Sequence, residues 1–143
     1  MKSKAQPLKE EIKNFYKFAE QRGFAKEKSK NHYFTVFKRT NGENVDYFDI
    51  QWDKYWRPYF VLNFGQGSSK ENEISISGRL QRAKGGSLSC WFGLKKPLSK
   101  RILSMQWNYT PREVRKELES SFEELEKWWH EKEEGPHIYL WKN

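Results

Sequence analysis

Residues 32–64 read HYFTVFKRTNGENVDYFDIQWDKYWRPYFVLNF, and three strands joined by two turns can be laid on them. The middle run, Asp46-Tyr-Phe-Asp-Ile-Gln-Trp52, alternates strictly: Tyr47, Asp49 and Gln51 fall on one face, Phe48, Ile50 and Trp52 on the other. A period of two with one apolar face marks an antiparallel strand, half on a core and half in water. Asn41-Gly42 ahead of it is the strongest short hairpin signal, because both residues tolerate positive φ; it joins 32–39 to 45–52. The run 59–64 is apolar at nearly every position, which places it centrally in a sheet. Asp53-Lys-Tyr-Trp-Arg-Pro58 is the second turn, with Arg57 held extended by the proline after it.

Working outward, Leu8, Ile12, Phe15 and Ala19 share a helical face over 8–22, with Phe18 beside them. Pro7 suits the first turn, Gly23 supplies the stop, and Phe24 is the expected contact back onto the helix. Residues 26–31 are a charged connector, and 65–73 a flexible polar loop. Ile74 and Ile76 open a fourth strand toward Leu80; Gly85-Gly86 turns into a fifth at 87–94. Residues 95–101 are a basic loop, since Pro97 argues against a central strand. Thr110-Pro-Arg-Glu113 is a capping box, and Val114, Leu118, Phe122, Leu125 and Trp129 follow as an apolar stripe. That helix runs near 111–133 until Gly135-Pro136 ends it, and 137–141 adds a last short strand. The fold expected is α+β in a single domain, 1–143: an antiparallel sheet of about five strands packed against an N-terminal and a long C-terminal helix.

Composition fits such a core. Only 36% of residues are hydrophobic, but ten Phe, seven Tyr and seven Trp are among them. Each aromatic buries roughly 150–250 Å², so few side chains suffice. The net charge of +8 is laid out in alternating blocks: +7 over 1–40, −3 over 41–77, +9 over 78–116 and −5 over 117–143. A basic chain is a nucleic-acid cue only where the charge collects on one face. Cys90 is the single cysteine, so no intramolecular disulfide forms; it reads as a small core residue on a strand. The start, Met1-Lys-Ser-Lys-Ala-Gln-Pro7, has no apolar leader run. No stretch approaches the ~20 apolar residues that span a bilayer. The expectation is a cytoplasmic protein with no membrane partner.

Motifs for catalysis are weak. His130-Glu-Lys-Glu-Glu134 lacks the second histidine of a zinc-protease helix, and the break at Gly135-Pro136 removes regular spacing to His137. Gly65-Gln-Gly-Ser-Ser-Lys70 has the wrong spacing for a phosphate loop and joins strands. Among Asp46, Asp49 and Asp53, Asp49 shares a polar face with Tyr47 and Gln51, but no companion acid or base is supplied. The chain therefore leans away from an enzyme, with no metal and no cofactor expected. Two candidate sites remain. One is a pocket around Tyr47, Asp49 and Gln51. The other is a binding surface of Arg79, Arg82, Lys84, Trp91, Lys95, Lys96, Lys100, Arg101 and Trp107, where cations lie among aromatics. That pairing serves single-stranded nucleic acids and protein hot spots alike.

The order of features resembles a bacterial family, the domain of unknown function numbered 4304. The residues carrying the resemblance are Gly23-Phe24, Asp49-Ile-Gln-Trp52, Phe60-Val-Leu-Asn-Phe-Gly65, Arg79-Leu80 and the acidic C-terminal helix, over about residues 10–130. The family carries no established activity, so the resemblance assigns no residue a role. Small α+β proteins of this kind include toxin-immunity proteins. A non-enzymatic protein-binding module with an acidic partner is the leading expectation. Nucleic-acid binding and small-ligand binding are the alternatives.

Overall fold

The computed structural model describes residues 3–71 and 73–141; Met1 and Lys2 of the opening segment, Asn72 of the polar loop and residues 142–143 lie outside them. The elements are α1 (Gln6–Gln21), β1 (Ala25–Glu27), β2 (Phe34–Asn41), β3 (Asn44–Trp52), β4 (Tyr59–Ser68), β5 (Ile74–Leu80), β6 (Phe92–Gly93), α2 (Leu98–Ser104), α3 (Pro111–Glu131) and β7 (Ile138–Leu140). All strands join one antiparallel sheet in the order β1-β2-β3-β4-β5-β7, with β6 paired to the first residues of β4.

Register explains which face is the core. Phe48 sits opposite both Phe37 and Phe64, and Ile50 opposite Leu62. These side chains, with Phe60 and Leu80, are fully buried together with Leu8, Ile12 and Phe15 of α1 and Val114, Leu118, Phe122 and Leu125 of α3. Phe15, Phe24, Phe48, Phe122 and Trp129 meet edge-on or tilted at centroid distances of 5.0 to 6.4 Å. Each such pair adds roughly 0.5–1.5 kcal/mol beyond its buried area. One step along β3, Asp49 sits opposite Val36 and Asn63, so the alternating residues line the other face.

The helix ends follow the sequence signals. Gly23 has φ 92, its N–H donates to Glu20 O (3.0 Å), and Phe24 N–H donates to Ala19 O (3.1 Å). That is a Schellman ending, with Phe24 buried behind it. Thr110 Oγ1 accepts from Glu113 N–H (3.2 Å), and Glu113 Oε1 accepts from Thr110 N–H (3.0 Å), closing the capping box. At its far end α3 stops at Glu131, before Gly135-Pro136, because Lys132 turns left-handed at φ 56.

Several expectations need correction. The hairpin turn is Gly42-Glu43, closed by the pair Asn41–Asn44, one residue beyond the Asn41-Gly42 reading; Gly42 alone carries positive φ, 63. Residues 65–68 are not loop but the end of β4. A Cβ on Gly65 would lie 1.9 Å from Ser75 O, so the glycine there serves a close strand approach at a bulge. Residues 87–94 are not a fifth strand: Leu88–Cys90 form a 3-10 turn, and only Phe92–Gly93 pair. Gln81 Nε2 grips Ala83 O (2.7 Å) and Gly85 O (2.6 Å), and Ser87 Oγ lies 2.8 Å from Ser89 Oγ. Such local bonds offer the backbone an alternative to a ladder. Cys90 is therefore half-buried in a turn, not on a strand. Residues 98–104 form α2, which takes in residues 98–101 of the expected loop 95–101; the extended Pro97 (φ −56, ψ 151) stands at its N-cap position. Ala25–Glu27, overlapping the start of the expected connector 26–31, adds β1 at the sheet edge. The described residues thus hold seven strands and three α-helices where about five and two were expected.

Candidate functional site

Two surfaces lie away from the packing of α1 and α3. The first is the face of the sheet opposite α1 and α3. Tyr47 Oη donates to Asp49 Oδ2 (2.6 Å), and Asn63 Nδ2 donates to Asp49 Oδ1 (2.8 Å) and Gln51 Oε1 (2.9 Å). Arg79 Nε donates to Asn63 Oδ1 (3.0 Å), while its Nη2 reaches Gln51 Oε1 at 3.4 Å. Neighbouring strands put these groups side by side, since Asn63 sits opposite Asp49 on one side and Arg79 on the other. The guanidinium of Arg79 lies 5.4 Å from the Trp91 ring centroid and 5.1 Å from that of Trp141.

Burial dominates the electrostatics of this network. Asp49 is 4% exposed, and burial pushes its carboxyl above the ordinary range against the opposing pull of Tyr47, Asn63 and the Arg79 charge. Tyr47 is raised by burial and by the carboxylate that its hydroxyl faces. Arg79 is lowered by burial, against the attraction of Asp49 and Tyr139. Asn63 thus stands between a carboxylate and a guanidinium that make no direct salt bridge.

Beside this network lies a cleft of about 370 Å³ between Tyr33, Phe34 and Gln51 on one side and Gly86, Leu88 and Trp91 on the other. Tyr47, Asp49 and Gln51 are thus one hydrogen-bonded cluster on the sheet, with Arg79 and Trp91 beside it, but of the three only Gln51 lines the cleft. Asn63, Trp141 and Tyr33 were missed. The signal for Asn63 was a lone amide inside the otherwise apolar run 59–64.

The other expected binding residues do not form one basic face with these. Arg82 pairs with Glu117 (2.5 Å) and donates to Gly93 O (3.0 Å), and Lys84 pairs with Glu134 (3.1 Å). Lys96 is buried, with Nζ donating to Ser104 Oγ at 3.1 Å and lying 5.2 Å from the Tyr109 ring. Lys95, Lys100, Arg101 and Trp107 instead gather around α2, the second of these surfaces. There Leu98, Ile102, Leu103, Met105 and Trp107 stand 63% to 87% exposed. Four of them line a groove of about 310 Å³ with Arg101, whose guanidinium lies 5.2 Å from the Trp107 ring. This apolar cluster had been hidden inside a segment read as basic loop.

Arginine pairing separates the two surfaces from the rest of the molecule. Arg39, Arg82 and Arg115, each 10–18% exposed, all pair with carboxylates. Among the described residues, Arg79 and Arg101 are the half-buried arginines that make no salt bridge. The remaining acids raised by the sequence are engaged elsewhere. Asp46 is fully buried on the helix side with Arg39, and Asp53 is held below the ordinary carboxylate range by its bond to Arg57. His137 Nδ1 contacts Glu124. Among the described residues no group of three or more His, Cys, Asp or Glu is placed to hold a metal ion, and no helix is long and apolar enough to cross a membrane.

In comparisons with known proteins, the chain matches no family model, no curated protein and no solved structure.

Proposed function

We propose that this chain is a non-enzymatic protein-binding module whose contact surface is α2 with the turn after it, and that its partner is acidic. The observation that supports this is the exposure of Leu98, Ile102, Leu103, Met105 and Trp107 within ten residues, on a segment edged by Lys95, Lys100 and Arg101. A contiguous apolar cluster with a cationic rim is what protein interfaces use, and Trp and Arg are the residue types that anchor them. Arg101 strengthens the case for an acidic partner, because it makes no salt bridge among the described residues and its guanidinium lines the groove with Trp107. The nucleic-acid reading relied on the same basic block, but Arg82, Lys84 and Lys96 are already committed to Glu117, Glu134 and Ser104. A toxin-immunity protein, the form suggested by the resemblance to family 4304, is one such module.

The test is affinity capture from host lysate with nuclease present, using the unaltered chain beside the triple variant Ile102→Ser, Leu103→Ser, Met105→Ser. One stoichiometric acidic protein retained by the first and lost by the second is the expected result. Recovery that collapses with nuclease, or partners held equally by the variant, would sink the reading. All three side chains are solvent-exposed, so the variant should keep its unfolding free energy to within about 1.5 kcal/mol, roughly 0.5 kcal/mol for each surface change.

A further inference from the structure

We infer that the helix-free face of the sheet carries a binding site for a small planar anion, with Arg79 taking its carboxylate or phosphate and the adjoining cleft taking its apolar body. This site lies apart from α2, and the inference stands whether or not α2 docks a protein.

Arg79 is the starting point. Its ring-facing surfaces are used by Trp91 and Trp141, which fix the plane of the guanidinium without consuming its N–H groups. On its edge, Nε is spent on Asn63, Nη2 makes only the long 3.4 Å approach to Gln51, and Nη1 has no acceptor among the described residues. Nη1 is also not among the polar atoms sealed from solvent without a partner, so an incoming group can reach it. Asp49, the carboxylate that attracts Arg79 electrostatically, has each oxygen already accepting a hydrogen bond, from Tyr47 and from Asn63, and makes no salt bridge with Arg79. A half-buried guanidinium held rigid, with one edge open and no anion of its own, is organised for an oxyanion that accepts two parallel N–H bonds.

The cleft specifies the rest of the ligand. Gln51, which Arg79 Nη2 approaches at 3.4 Å, and Trp91, whose ring centroid lies 5.4 Å from the guanidinium, both line the cleft, so the charge sits beside it. Lys54 lines the cleft too, as does Asp53, whose carboxylate is paired with Arg57. Tyr33, Phe34 and Leu88 give it apolar walls. At about 370 Å³ it lies near the small end of ligand sites, which suits one or two rings. One open guanidinium with Lys54 along the cleft, in place of a track of cations, suits a single anionic group better than a nucleic-acid strand.

The experiment is a titration of the isotope-labelled full chain with benzoate, phenyl phosphate and neutral benzamide, following the indole N–H resonances of Trp91 and Trp141. Saturable shifts at both rings are expected for at least one anion, with affinity about tenfold or more above that for benzamide. The better anion distinguishes carboxylate from phosphate recognition. Arg79→Met should weaken that anion by about tenfold or more, and Arg79→Lys by less, because the charge remains but the fork is lost. Absence of a saturable shift with both anions overturns the inference, as does benzamide binding equally well. Should Arg79→Met fail to fold, the comparison of anion with neutral probe on the unaltered chain still decides.

Discussion

Asp49 carries more physical tension than any other single residue on the open sheet face. Its carboxyl is 4% exposed and accepts two hydrogen bonds, yet burial outweighs them and raises its pKa. A carboxylic acid raised in this way binds its proton more tightly in the folded state than in the unfolded one. Folding stability therefore falls as pH rises from about 3.8 through the raised value, and the cost is fully present above it. Asp49→Asn removes the ionisation but keeps an acceptor oxygen of the same shape. Measured by urea unfolding at a series of pH values, the variant should gain on the unaltered chain as pH rises from about 3 toward 7. A difference that stays flat with pH would mean that the charge of Arg79, through Asn63, fully offsets the burial.

At the scale of elements, the best-specified unit is the start of α3. Thr110 and Glu113 satisfy two backbone N–H groups reciprocally, at 3.2 and 3.0 Å. Thr110→Ala removes one acceptor and should cost about 0.5–2 kcal/mol in thermal or urea unfolding, while Thr110→Ser recovers most of it. The same contrast explains which elements were legible in the sequence. The α3 cap, the Gly23 stop and the β3 alternation each rest on contacts within a few residues, and the structure contains all three. Elements decided by distant partners were not legible. Gly65 and Gly67 read as loop until Ser75 and Glu73 are seen pressing on them from β5 and the turn before it. The segment 87–94 read as strand because nothing local shows Gln81 gathering the carbonyls of Ala83 and Gly85. The helix α2 is short and carries Lys100 and Arg101 between Leu98 and Ile102-Leu103, so its local pattern is that of a basic loop. For the candidate site, alternation alone placed Tyr47, Asp49 and Gln51 together, but Asn63 and Arg79 join them only through strand pairing.

For the molecule as a whole, one side chain joins the layers. Arg39, on β2, donates to Asp46 Oδ2 on β3 (2.7 Å), to both oxygens of Glu126 on α3 (2.9 and 2.8 Å) and to Arg22 O at the end of α1 (3.1 Å). Its guanidinium also lies 4.3 Å from the Phe24 ring centroid and 5.3 Å from that of Trp129. Asp46 is fully buried, and without Arg39 it keeps only Asn41 at 3.4 Å and Gln66 at 2.9 Å. Arg39→Met should therefore cost about 3–5 kcal/mol, because it strands a buried charge as well as losing the ties between sheet and helices. That is a large part of the roughly 5–15 kcal/mol that holds a domain of this size together. Adding Asp46→Asn removes the stranded charge, so the double variant should be more stable than Arg39→Met alone. Urea unfolding in a stabilising osmolyte keeps all forms measurable. Losses that simply add would show that Arg39 acts through its packing on Phe24 and Trp129, with the buried carboxylate held by Asn41 and Gln66 alone.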